Sequence, residues 1–133
     1  MLCQPEDVSV TVTWTADEDD RLSGEVIVEN VGSRTCRLPG KPGVTPLGTD
    51  GVPLETETTI TLELRSPGYV ELEPGESAVA PVRWLNWCGR PASAQAQVDW
   101  NAGPVIAEVR GPAQPGCHPG ERNLMSSSWF DKR

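Results

Sequence analysis

The chain has 133 residues, of which 19 are acidic and 11 basic, giving a formal net charge of −8, and it holds 13 Gly, 13 Pro, four Cys and one His. That length fits one domain, and Gly and Pro at this frequency argue against long helices and for short strands joined by turns. The single His excludes a multi-histidine metal centre, the acidic balance disfavours nucleic acid and anionic membrane surfaces, and no stretch approaches the roughly 20 apolar residues of a membrane span.

Residues 8–14 read VSVTVTW, with Val8, Val10, Val12 and Trp14 on one parity and Ser9, Thr11 and Thr13 on the other. Strict period-two alternation predicts a half-buried strand. Asp17, Glu18, Asp19 and Asp20 form a polar turn. Alternation resumes over 22–31, with Val26 and Val28 inward and Glu25 and Glu29 outward, and Asn30, Gly32 and Ser33 turn the chain. Pro39, Pro42 and Pro46 forbid a central ladder over 36–48, which therefore reads as an irregular edge segment.

After the turn at Thr49-Asp50-Gly51, residues 58–64 (TTITLEL) read as a strand with Ile60, Leu62 and Leu64 on one face, and 69–72 (YVEL) as a shorter one. Pro74-Gly75 is a turn dipeptide. Residues 78–87 form a long strand in which Val82, Trp84 and Cys88 share a parity and Trp87 lies opposite. Ala94, Ala96, Val98 and Trp100 alternate with Gln95, Gln97 and Asp99, and Val105, Ala107 and Val109 close the set. Seven to nine short strands with frequent turns predict an all-β fold, an immunoglobulin-like antiparallel β-sandwich, over residues 1–118. Residues 119–133 read as a C-terminal tail, docked or loose.

Cys3, Cys36, Cys88 and Cys117 are widely spaced, with no Cys-x-x-Cys. An even count of isolated cysteines in a small strand-rich chain predicts two disulfides and an oxidising, extracytoplasmic compartment. Four cysteines allow three pairings. The preferred reading is Cys36–Cys88, joining two central strands, with Cys3–Cys117 tying the ends. In a lipoprotein precursor Cys3 would instead be acylated and Cys117 left unpaired.

Several residues also form a longer pattern. Asn30 and Gly32 come first, then Cys36, Leu38, Gly40, Pro42 and Val44 at alternate positions, then Asp50-Gly51. Leu72, Pro74, Gly75 and Ala78 follow, and then Trp84 and Cys88. In this order and spacing the chain resembles the actinobacterial family catalogued as domain of unknown function 4232, over roughly residues 3–118. The resemblance implies a β-sandwich found in secreted proteins, lipoproteins and extracellular parts of larger proteins. It implies no activity, substrate or catalytic residue.

The residues themselves offer little chemistry. His118 follows Cys117, and adjacent strand residues point to opposite faces, so the two do not form a nucleophile pair. Residues 17–20 lack the spacing of a calcium loop. Glu55, Glu57, Glu71, Glu73 and Glu76 lie on outward parity or in turns, which suits a solvated surface better than a pair of glycosidase acids. Trp14, Trp84 and Trp100 fall on apolar parity and belong to a core. Trp87 breaks that pattern and is expected to be exposed, with Asn86 beside it, as a ligand contact. Trp129 and Phe130 in the tail are expected to anchor a partner. The expectation is a non-catalytic extracytoplasmic binding domain without a cofactor, its partner an unknown protein or glycan of the cell envelope. The alternatives are a carbohydrate- or cell-wall-binding module using exposed Trp, and a hydrolase.

Overall fold

A computed structural model describes residues 1–58, 65–100 and 102–133. A short 3-10 turn (Pro5–Asp7) leads into β1 (Val8–Glu18) and β2 (Arg21–Asn30). Next come β3 (Cys36–Pro39), β4 (Gly43–Gly48), β5 (Glu57–Thr58), β6 (Tyr69–Leu72) and β7 (Ser77–Leu85). The chain ends with β8 (Ala92–Asp99), β9 (Val105–Arg110), β10 (Leu124–Ser127) and β11 (Asp131–Lys132). The expected all-β fold with two disulfides is what the chain adopts. The strand expected over 58–64 lies outside the described residues beyond Thr58.

Among the described residues, nine strands form one curled sheet in the order β4-β8-β9-β1-β2-β7-β10-β5, with β11 also on β7, and β3 pairs with β6 in a second small sheet. β1 is the pivot. It runs antiparallel to β2 along its length, while Thr11, Val12 and Thr13 pair in parallel with Glu108, Val109 and Arg110 of β9. The Ser127 hydroxyl donates to the Pro42 carbonyl, which brings β10 against the segment leading into β4 and curls the sheet around one core.

Alternation places the core as expected over most strands. Val8, Val10, Val12 and Trp14 of β1, Val26 and Val28 of β2, and Ala78, Ala80, Val82 and Trp84 of β7 are all buried. Trp100 is buried too, and its indole N–H donates to the Cys3 carbonyl at 3.0 Å, holding the N-terminal segment on the core. Ala94, expected inward, is exposed. The proline-rich stretch 36–48 is not irregular: it supplies β3 and β4. Pro46 is accommodated because β4 ends the sheet path, and an edge strand has a side with no ladder to lose.

The tail residues 119–133 carry β10 and β11, both hydrogen-bonded to β7, and Met125 and Phe130 join the core at 2% exposure each. Phe130, expected to anchor a partner, instead docks the tail and is covered by the core. Trp129 is half-buried, with Gly68 beside its ring and the Lys41 ammonium 5.8 Å from the ring centroid.

The disulfide pairing also differs from the preferred reading. Cys3 bonds to Cys36 and Cys88 to Cys117, so each bridge closes a loop between consecutive cysteines. Cys36 sits on β3, in the small sheet, and the Cys3 backbone N–H donates to the Arg37 carbonyl at 2.9 Å, which brings the N-terminal segment alongside it. The reading that failed extended the parity of β7 to Cys88. β7 ends at Leu85, and Asn86 has φ of 53°, a left-handed conformation that breaks the alternation. Past that point Trp87 turns inward and Cys88 outward.

Two carboxylates, the exposed Asp50 and the half-buried Glu76, brace the loops. Asp50 accepts from the Val52 backbone N–H at 3.1 Å and from Arg90 at 2.9 Å. The backbone donor first, and then the Arg90 charge, hold its carboxyl below the ordinary value. Glu76 is lowered in the same way by the Glu73 backbone N–H at 2.8 Å and by Lys132 at 3.1 Å. A depressed folded pKa contributes stability that is present above the unfolded value and is lost as pH falls through the folded one. Carbon-detected NMR titration is expected to show both carboxyls ionising below ordinary Asp and Glu values. Unshifted midpoints would contradict these contacts.

Candidate functional site

The outer face of β1, β2, β7 and β10 is built from the residues that alternation turns away from the core. Register sets Thr15 against Ser23, Ser23 against Arg83, and Arg83 against Ser126, one row across four strands. The next row sets Arg21 against Leu85 and Leu85 against Leu124. Arg21 and Arg83 are thus diagonal neighbours on one face, within reach of a common ligand.

Three clefts that share lining residues run from the end of β1 to β10. The middle one, about 330 Å³, is lined by Asp17, Arg21, Leu22, Arg83, Leu85 and Ser126. It shares Asp17 and Leu22 with a cleft of about 380 Å³ whose other walls include Glu18, Asp19, Pro112, Gln114 and Pro115. On the other side it shares Arg83 and Ser126 with a cleft of about 180 Å³ that Pro81, Ser127 and Ser128 help to line. Together they form a groove that is acidic at one end and carries a guanidinium and hydroxyls at the other. Arg21 lies 3.9 Å from Glu18, whereas the Arg83 side chain makes no ion pair or hydrogen bond among the described residues.

The proline wall of the acidic end is fixed in place. The Gly116 N–H donates to the Asp19 carbonyl at 2.6 Å, and the Ala92 N–H to the Gln114 side-chain oxygen at 2.8 Å. The Cys88–Cys117 bond anchors the same segment.

Asn86 and Trp87, expected as exposed ligand contacts, are 2% and 6% exposed. Their polar groups are used by the fold. The Asn86 side chain donates to the Glu121 carbonyl at 2.8 Å and accepts from the His118 backbone N–H at 2.7 Å. The Trp87 indole N–H donates to the Arg90 carbonyl at 2.7 Å, and the ring lies 5.7 Å from that of Trp84. Gly89 lets the ring lie there, since a Cβ on it would come within 2.4 Å of the indole. Asn86→Ala is expected to cost about 2–4 kcal/mol, from buried partners left unpaired and from a left-handed backbone. Asn86→Gly should recover about 1 kcal/mol of this by relieving the backbone. Urea unfolding checks both, and equal losses would show that the conformation contributes nothing.

His118 is exposed, with its backbone rather than its ring engaged. Glu57, Glu71 and Glu76 pair on the surface with Arg122, Arg37 and Lys132. Among the described residues no group of three or more His, Cys, Asp or Glu side chains could hold a metal ion, and no helix is long and apolar enough to cross a membrane.

The residues that carried the resemblance are structural. Asn30 is fully buried, and its side-chain amide donates to the Leu72 and Arg34 carbonyls while its oxygen accepts from the Gly32 N–H. Cys36, Leu38, Leu72, Ala78 and Trp84 are at most 1% exposed. The family of Domain of unknown function (DUF4232) matches residues 3–116. The chain belongs to that family. No curated protein and no solved structure matches it.

The DUF4232 match spans the core and its turns and also Arg21 and Arg83 of the groove. Arg21, Arg83 and Ser126 are absent from the pattern that carried the resemblance, and Ser126, Ser127 and Ser128 lie beyond the matched residues. Sequence reasoning missed Arg21 and Arg83. Arg83 stands on the outward parity of a predicted strand, a signal shared with most surface residues, and Arg21 lies between the acidic turn and the strand expected from residue 22.

Proposed function

We propose that this chain is a non-catalytic binding domain of the cell envelope that seats its ligand along the groove around Arg21 and Arg83. The observation that carries this reading is the groove itself, with opposite charge at its two ends and the Arg83 guanidinium unpartnered among the described residues. The two disulfides support an oxidising, extracytoplasmic setting. The resemblance to secreted proteins and lipoproteins supports the same placement. Cys3 takes part in the disulfide with Cys36, which leaves its sulfur no valence for a lipid thioether. The net charge of −8 supports a ligand other than nucleic acid.

The test is an NMR titration of the labelled domain with soluble peptide and glycan fractions of a bacterial cell wall. Shifts confined to β2, β7 and β10, lost in Arg83→Glu, support the reading. Shifts confined to the opposite side of the molecule overturn it. Chemical conversion of the ligand during the titration overturns the non-catalytic part.

A further inference from the structure

We propose that the groove takes a short extended peptide of about four residues, with a cationic end in the acidic cleft and a free carboxylate at Arg83 and its flanking serines. This rests on the binding reading above and adds the class of ligand. Asp17, Glu18 and Asp19 contribute to one end, and Arg83, Ser126 and Ser128 to the other. A ligand of a single charge would satisfy one end and be repelled at the other.

The span is set by the strands. Arg83 on β7 lies two interstrand steps of about 4.8 Å from β1, and Ser126 on β10 lies three, so the two ends are about 10–14 Å apart. An extended chain covers about 3.5 Å per residue, so about four residues bridge the two ends. Between the ends, Leu85 gives an apolar floor for an intervening side chain. A guanidinium flanked by hydroxyls suits a planar carboxylate, which can accept from both. None of the described residues lining the three clefts is aromatic, so the groove lacks the ring platform on which a sugar would stack. The proline wall is held by the Cys88–Cys117 bond and by the Gly116 N–H on Asp19, so the acidic end is preformed.

The probe is lysyl-trialanine with a free carboxylate, titrated into the intact domain and followed by amide shifts. Amidating its carboxylate is expected to weaken binding about tenfold, as is replacing its lysine by norleucine. Arg83→Gln should abolish the preference for the free carboxylate and keep the preference for lysine. Asp17→Asn should do the reverse. Both substitutions are of surface side chains, and the amide spectrum reports that each variant is folded. Equal binding of all three peptides, or no groove response to any, overturns the proposal. A groove response to an oligogalacturonate alone overturns the peptide and leaves the binding reading standing. Peptide-induced shifts only away from the groove overturn both.

Discussion

Trp84→Ala is expected to cost about 3–5 kcal/mol, a large part of the stability of a domain this size. Trp84 is 1% exposed, with its ring centroid 6.2 Å from that of Trp14 and 5.7 Å from that of Trp87. Its register neighbours are Leu22 on β2 and Met125 on β10, so with Trp14 of β1 against its ring one side chain of β7 joins four strands. Its buried indole N–H has no partner among the described residues, which works against the ring's contribution. Trp84→Phe removes that N–H together with part of the volume and should cost about 1–2 kcal/mol. Guanidinium unfolding followed by far-UV circular dichroism measures both. In the alanine variant, amide exchange should quicken first in β10. A cost under about 1 kcal/mol for Trp84→Ala would contradict its place at the centre of the core.

Removing the Cys3–Cys36 bond is expected to cost about 2–5 kcal/mol. The bonded cysteines are 33 residues apart in this bridge and 29 in Cys88–Cys117. On chain entropy alone the two contribute nearly equally, about 3.7 kcal/mol each. Burial separates them. Cys3 and Cys36 are 0% and 1% exposed, whereas Cys88 and Cys117 are both exposed. Mild dithiol treatment should therefore open Cys88–Cys117 first, with Cys3–Cys36 reduced only when the domain unfolds. Peptide mapping after stepwise reduction and alkylation reads both the pairing and the order. Recovery of a Cys36–Cys88 peptide, or simultaneous opening of the two bridges, would contradict the structure.

Much of the fold was legible because alternation is a local signal. Val8 to Trp14 read inward at every second position, and they are inward, because a strand's side chains alternate by geometry alone. Trp14, Trp84 and Trp100 followed from the same rule. It failed where the backbone left the strand. Asn86 takes φ of 53°, and nothing in its identity separates it from Asn residues in ordinary turns. That one residue moved Trp87 inward and Cys88 outward, and with Cys88 went the preferred disulfide pairing. The groove was illegible for another reason. Arg21, Arg83 and Ser126 come from three distant stretches and become neighbours only through register.

The sequence by itself determined the strand-rich class, the core parity, the presence of two disulfides and the family. These depend on residue type and spacing along the chain, and each is a local property or a count. Tertiary structure decided which cysteines meet, that Phe130 and Trp87 are covered, and that an acidic turn, two arginines and a serine run share one surface. Those are matters of sheet order and register, set by how all the strands pack together, and no single segment carries them.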